Sequence, residues 1–157
     1  MSKINWSRVI LGGIVAGIVI DLFEGVLNGV LLQKQWTDVM VGLGKSGAMS
    51  VKQIVAFDVW GLAAGVAVVW LYAAMRERFG AGPRTAMLAG LTVWFLADAL
   101  AAAGPVFLHI YQVGLALEAV SFELVEMLVA GLAGAYLYKE QTEPGAEPLR
   151  QRAMHAG

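Results

Sequence analysis

The chain has 157 residues, of which 59% are hydrophobic and 15% are charged, and its formal net charge is −1. Soluble domains are usually about half apolar and a quarter charged, so this composition indicates an integral membrane protein with a single domain. The nearly neutral charge provides no basic footprint and excludes nucleic acid as an expected partner. The absence of cysteine excludes disulfides and thiolate metal sites in the chain.

Four apolar stretches are each long enough to cross about 30 Å of hydrocarbon as an α-helix. The predicted spans are residues 9–32, 54–75, 86–110 and 114–138. The start of the fourth span is open, because it lies either near Val113 or after Glu118. We expect an all-α fold, with a four-helix transmembrane bundle in residues 1–140 and a disordered cytoplasmic tail in residues 141–157.

The positions of lysine and arginine predict the orientation, since short cytoplasmic loops carry an excess of both. One side of the predicted bundle has eight of them, namely Lys3, Arg8, Arg76, Arg78, Arg84, Lys139, Arg150 and Arg152. The other side has three, namely Lys34, Lys45 and Lys52. Both termini are therefore expected to be cytoplasmic. The first apolar run is too long for a signal-peptide core and is interpreted as a retained helix.

The two halves of the chain share a pattern in which each half is a predicted α-hairpin. Ala16-Gly17 in the first span matches Ala89-Gly90 in the third, and Ala64-Gly65 in the second matches Ala130-Gly131 in the fourth. Because two helices separate the copies, the halves would be tandem repeats with the same topology. The alternative is a chance match, since these residues are common in membrane helices.

Close packing of helices is predicted by three Gly-x-x-x-Gly motifs, which begin at Gly13, Gly25 and Gly61. Glycines at this spacing let a neighbouring helix backbone approach closely. Such contacts form within the chain or between copies, so a homodimer is one expectation for the partner, together with the lipid bilayer and another membrane protein.

The polar residues inside the predicted spans are the unusual feature of the sequence. The candidate site residues among them are Asp21, Glu24 and Asn28 in the first span, Asp58 in the second, Asp98 in the third, and Glu123 and Glu126 in the fourth. No lysine or arginine lies within a span to pair with the acids, although a charged group at the bilayer centre costs roughly 3 kcal/mol. Helical spacing predicts one shared site, with Asp21 and Glu24 at its centre and Asp58 as an outer entry.

Close carboxyl groups in a low dielectric cannot all ionise, so they bind protons or cations neutralise them. The favoured function is therefore an intramembrane site that binds or relays protons or a hard cation. Three alternatives stay open: polar groups that pack across helices, a structural or assembly subunit of a larger membrane complex, and a small enzyme acting on a lipid or quinone. The enzyme is the least favoured of these, because no nucleophile or cofactor site is recognisable, and no cofactor is expected.

Two metal centres are disfavoured by the histidine content. A di-iron bundle needs Glu-x-x-His pairs, whereas this chain has Asp21-x-x-Glu24 and Glu123-x-x-Glu126. The two histidines are His109, near the end of the third span, and His155 in the tail. Neither a dimetal centre nor a haem with two histidine ligands is therefore expected.

A glycine-rich segment in the first loop, Gly42-Leu43-Gly44-Lys45-Ser46, ends like a phosphate-binding loop. Val39 stands where that motif requires its first glycine, and no strand is predicted before it. We therefore interpret the segment as a flexible turn.

Three segments resemble small four-span bacterial membrane proteins of unknown function. They are Asn5-Trp6-Ser7-Arg8-Val9-Ile10-Leu11-Gly12-Gly13, Leu27-Asn28-Gly29 and Ala133-Gly134-Ala135-Tyr136-Leu137-Tyr138-Lys139-Glu140. The resemblance covers most of the chain apart from the tail. It implies a location in the bacterial inner membrane and brings no activity, cofactor or site residue with it.

Overall fold

A computed structural model describes residues 4–139, and this part of the chain is helical, without strands. Helix α1, Trp6–Val26, continues directly into a first π-helical segment, Leu27–Leu31. The next helices are α2, Gln33–Gly42, and α3, Val51–Phe79. One continuous stretch then comprises α4, Pro83–Trp94, a second π-helical segment, Phe95–Ala99, and α5, Leu100–Phe107. The last helix is α6, Val113–Leu137. The predicted disordered tail, with His155, lies outside the described residues.

Three helical stretches are long and apolar enough to cross a membrane, namely Trp6–Leu31, Val51–Phe79 and Pro83–Phe107. They coincide closely with the first three predicted spans and indicate a membrane protein. Helix α6 is not among them; it is 25 residues long and includes three glutamates. Its first residue is Val113, one of the two starts considered for the fourth predicted span.

The ends of α3 and the start of α4 follow from local sequence. Ser50 and Gln53 form a reciprocal capping box at the start of α3, which satisfies backbone N–H groups that the helix leaves free. Gly80 and Gly82 have φ angles of 85° and 139°, which residues with a side chain rarely adopt. Pro83 then occupies the first turn of α4, where its missing N–H costs nothing. These residues form the turn between α3 and α4.

Glycines bring the helices of each hairpin into backbone contact. Helix α1 packs against α3 and α6, and α4 packs against the same two helices. A Cβ placed on Gly65 of α3 would collide with the backbone of Gly13 and Gly17 in α1. A Cβ on Gly131 of α6 would lie 3.0 Å from the Ala86 carbonyl oxygen and 3.6 Å from the Gly90 Cα. The matching Ala-Gly pairs of the two sequence halves therefore occupy the same kind of helix contact.

The three Gly-x-x-x-Gly motifs have different environments. The motifs that begin at Gly13 and Gly61 pack against each other, as the contacts of Gly65 show. A Cβ on Gly25 or Gly29 would have no atom of the described chain within 4 Å. The second motif therefore makes no helix contact within residues 4–139.

Two separate clusters of buried apolar side chains stabilise the fold. The terminal core lies at the end that carries both Asn5 and Tyr138, whose backbone N–H and hydroxyl groups are hydrogen-bonded at 3.2 Å. It includes Val9, Ala16, Ile20, Val68, Val69, Ala89, Met127 and Ala130. The α2 core lies at the opposite end and comprises Leu27, Leu32, Leu115 and Ala119, with Trp36, Val39 and Phe122 packed against them. Asp21 and Glu24 of α1 and Glu123 and Glu126 of α6 lie between the two cores along the chain.

Helix α2 occupies part of the segment that the sequence analysis predicted as the first loop. Its apolar residues Trp36, Val39 and Met40 are half-buried, while Lys34 and Asp38 are exposed and form an ion pair at 2.7 Å. This spacing is that of a short amphipathic helix. The turn predicted in the glycine-rich segment follows it, with Gly44 at a φ of 71°.

Candidate functional site: a carboxyl cluster between two cores

Glu24 and Glu126 bring α1 and α6 into direct polar contact. The Glu24 carboxylate accepts a hydrogen bond from the Asn28 side-chain amide, one helical turn away. It is also in hydrogen-bond contact with the carboxyl group of Glu126. Glu126 is only 2% exposed, and its Oε2 atom has no hydrogen-bond partner in the described part of the chain. Such an atom is costly to bury unless a proton or a ligand satisfies it.

Asp98 and Glu123 extend the cluster toward α4. Asp98 lies in the second π segment, where its Oδ2 atom is buried and lacks a partner among residues 4–139. It interacts electrostatically with Glu24 and with Glu123. One turn earlier, the Trp94 indole donates a hydrogen bond of 2.9 Å to the Val120 carbonyl oxygen. This bond holds the helix that carries Asp98 against α6.

Asp21 and Asp58 lie at the edge of this cluster. Gly61 of α3 leaves room for the Asp21 carboxylate, because a Cβ on Gly61 would collide with it. Asp21 is half-buried and interacts electrostatically with Asp58, whereas Asp58 is exposed. The predicted centre of the site was Asp21 with Glu24. The most deeply buried carboxyl group of the structure is instead Glu126, and the contacts converge on Glu24.

The acids of the cluster lie in apolar stretches that contain no lysine or arginine. Residues 9–32, 54–75, 86–110 and 113–138 contain no lysine or arginine. Within residues 4–139, no group of three histidine or acidic side chains is arranged to hold a metal ion. A proton requires only two oxygen atoms in contact, which Glu24 and Glu126 supply.

Both π-helical segments of the structure carry a residue of the site. Asn28 lies in the first, where the Leu32 N–H donates to the Leu27 carbonyl oxygen at 2.7 Å. Asp98 lies in the second, which ends with a bond from the Leu100 N–H to the Phe95 carbonyl oxygen. Segments with this hydrogen-bond spacing are rare and frequently occur at functional sites. Hydrophobic periodicity does not indicate them, so the sequence analysis missed both.

Trp36 is a polar contact of the site that the sequence analysis also missed. Its indole Nε1 donates a hydrogen bond of 2.6 Å to the Asn28 Oδ1 atom. The apolar spacing of α2 was the available signal, because it places Trp36 on the face turned toward the helices. The ring pair of Phe23 and Phe122, with centroids 5.7 Å apart, packs next to the cluster and had no such signal.

Comparison of the sequence with protein-family models finds no match, and the curated proteins and the solved structures give none either. The resemblance to small four-span bacterial membrane proteins stays a prediction.

Proposed function

We propose that this protein crosses the bacterial inner membrane four times, and that its carboxyl cluster binds and relays protons within the bilayer. The observation that carries the proposal is Glu126, which is 2% exposed, contacts Glu24 and has one carboxyl oxygen without a partner among the described residues. Proton pathways in membrane proteins are built from acids in such positions.

Four crossings are supported by the contact between the two ends of the described chain. The Asn5 N–H and the Tyr138 hydroxyl group are hydrogen-bonded, so α1 begins on the side where α6 ends. That contact supports an even number of crossings. Helix α6 has 25 residues, which corresponds to about 37 Å at 1.5 Å per residue and exceeds the hydrocarbon thickness. The similar glycine contacts of the two hairpins support their origin as tandem repeats.

Cytoplasmic termini are supported by the basic residues near the terminal core. Arg8, Arg76 and Lys139 belong to the helix ends or flanks at this end, and the Arg76 guanidinium lies 5.2 Å from the Tyr138 ring centroid. Lys34 and Lys45 lie at or near α2, toward the opposite end. The excess of positive charge near the terminal core favours its placement inside the cell.

Proton flux through the purified protein tests the proposal. Proteoliposomes with an imposed membrane potential are expected to take up protons with wild-type protein, and to lose this flux with Glu126→Gln or with Asp21→Asn/Glu24→Gln. Glu118→Gln is the matched control, because Glu118 is an exposed acid of the same helix. Wild-type flux that depends on Na⁺ at constant pH would reassign the site to a monovalent cation. No flux from correctly folded wild-type protein would contradict the relay.

A second candidate function, an assembly subunit of a membrane complex, is favoured by the first third of α3. Every residue from 51 to 60 is exposed, including Trp60 at 71% and Asp58. This helical segment lacks a packing partner within residues 4–139, and a membrane-embedded aspartate would be stabilised by a basic or polar group of a partner. The assembly role predicts that the protein co-purifies with a larger complex and that this association is lost in Asp58→Leu.

A further inference from the structure

The side-chain contacts between α2 and the carboxyl cluster form a continuous hydrogen-bonded chain. Trp36 of α2 donates to Asn28 at 2.6 Å, and Asn28 donates to Glu24. Glu24 in turn contacts Glu126. This series of side-chain contacts joins the short amphipathic helix α2 to Glu126, the most deeply buried acid of the described residues.

The chemistry of the indole fixes which way the Asn28 amide points. An indole N–H is a donor only, so it must face the amide oxygen of Asn28. The amide nitrogen, which is a donor, therefore faces the Glu24 carboxylate. A donor in this position stabilises the ionised form of Glu24. Without Trp36 the amide is free to turn its oxygen toward Glu24, and that arrangement favours the protonated carboxyl group instead.

Helix α2 is held in place by side-chain contacts. A displacement of the helix would break them. The Trp36 ring packs edge-on against Tyr111, with centroids 5.1 Å apart, and the Gln35 amide donates to Glu118 of α6 at 3.1 Å. Trp36 also covers the α2 core, which contains Leu27 and Leu115. No residue of α2 itself is fully buried. This helix is therefore more weakly anchored than the long helices that carry the acids.

We propose that Trp36 is a positioning residue that directs the Asn28 amide toward Glu24 and thereby couples the position of α2 to proton binding at the carboxyl cluster. The proposal rests on the proton-binding function. Docked α2 lowers the proton affinity of Glu24, and displaced α2 raises it. By reciprocity, protonation of Glu24 weakens the hold of the cluster on α2.

The other charged groups that face Glu24 do not provide this coupling. They are Asp21 on α1, Asp98 in the second π segment, and Glu123 and Glu126 on α6, while Asp58 of α3 faces Asp21. All are acids located on the long helices. Within residues 4–139, the Asn28 amide is what connects Glu24 to α2, so a change at Trp36 acts on Glu24 through that amide.

Infrared titration of the full-length protein in lipid vesicles tests the proposal. The carboxyl stretching band that disappears in Glu24→Gln is assigned to protonated Glu24. Its titration midpoint is expected to move up by about one pH unit in Trp36→Phe, the order expected for loss of one hydrogen bond to the carboxylate. Trp60→Phe, at an exposed tryptophan of α3, is the matched control and should leave the midpoint unchanged.

The Asn28→Leu variant separates positioning from general loosening of the structure. It is expected to shift the midpoint in the same direction, and Trp36→Phe added to Asn28→Leu should cause no further shift. An unchanged midpoint in Trp36→Phe, or additive shifts in the double variant, would overturn the role of Trp36 while leaving the proton site intact. If no band titrates and disappears in Glu24→Gln, the proton-binding function and this inference both fail. Should Trp36→Phe not fold, Asn28→Leu alone decides, since an unshifted midpoint would refute the coupling.

Discussion

The two ends of the molecule are packed in different ways. At the terminal core, α1, α3 and α6 touch through their backbones, because a Cβ on Gly12 would lie 2.5 Å from the Gly134 carbonyl oxygen and a Cβ on Gly65 would collide with Gly17. At the α2 end, residues 51–60 of α3 are exposed and α5 has no buried residue. The carboxyl cluster lies where the close packing ends.

This difference indicates where protons and water are able to reach the acids. Backbone contact at the terminal core leaves no space for a water molecule between α1 and α3. The α2 end is closed mainly by side chains such as Trp36 and Leu32, which change rotamer far more readily than a helix changes its position. The acids therefore border a rigid half on one side and an adaptable half on the other.

Gly65→Ala is expected to change the free energy of unfolding the most, because Gly65 lies in the rigid half. The added Cβ would meet backbone atoms of α1, which do not move without separating the helices. We expect the free energy of unfolding to fall by about 2–3 kcal/mol. Unfolding in detergent micelles, followed by circular dichroism, measures it. Gly25→Ala is the control and should change the value by less than about 1 kcal/mol; equal losses in both variants would refute the contrast between the halves.

Glu126→Leu is expected to have an intermediate and opposite effect on stability. It removes a buried carboxyl oxygen that has no partner among the described residues and replaces it with an apolar group of similar size. The free energy of unfolding should rise by about 1–2 kcal/mol, while proton flux is lost. Glu118→Leu, an exposed position bonded to Gln35, should not raise it. Destabilisation by Glu126→Leu would show that this carboxyl group has a stabilising partner.

His109→Val is expected to change the free energy of unfolding the least. His109 lies in the turn between α5 and α6, at the α2 end. His109 has a φ of 57°, in the left-handed region, which a β-branched residue adopts at a cost of about 1 kcal/mol. The same unfolding assay should show a loss of this size for His109→Val and almost none for His109→Asn, since asparagine tolerates that conformation. Equal stability of the two variants would mean that the turn changes conformation easily.

Much of the fold was predictable because it depends on local sequence. Long apolar runs predicted the three stretches that are able to cross a membrane. Helix α2 was missed because half of its ten residues are polar and the helix is too short to cross a membrane. The two π segments were missed because they depend on how neighbouring helices pack rather than on any residue preference.

The candidate site was predictable in its members and not in its geometry. The sequence identified seven candidate residues, but it placed the centre of the site at Asp21 and Glu24. The structure buries Glu126 most deeply and leaves Asp58 exposed. Helical periodicity assigns a residue to one face of its helix, whereas burial also depends on which helix covers that face.

The sequence by itself determined that the chain forms long apolar helices, that acids lie in predicted spans that contain no lysine or arginine, and where several helices begin and end. These properties depend on composition and on interactions within a few residues. Only the tertiary structure decided that Glu24 meets Glu126, that Asn28 and Asp98 lie in π segments, and that Trp36 reaches Asn28. One extra residue in a helix rotates everything beyond it by about 100°, so such contacts depend on the packing of whole helices.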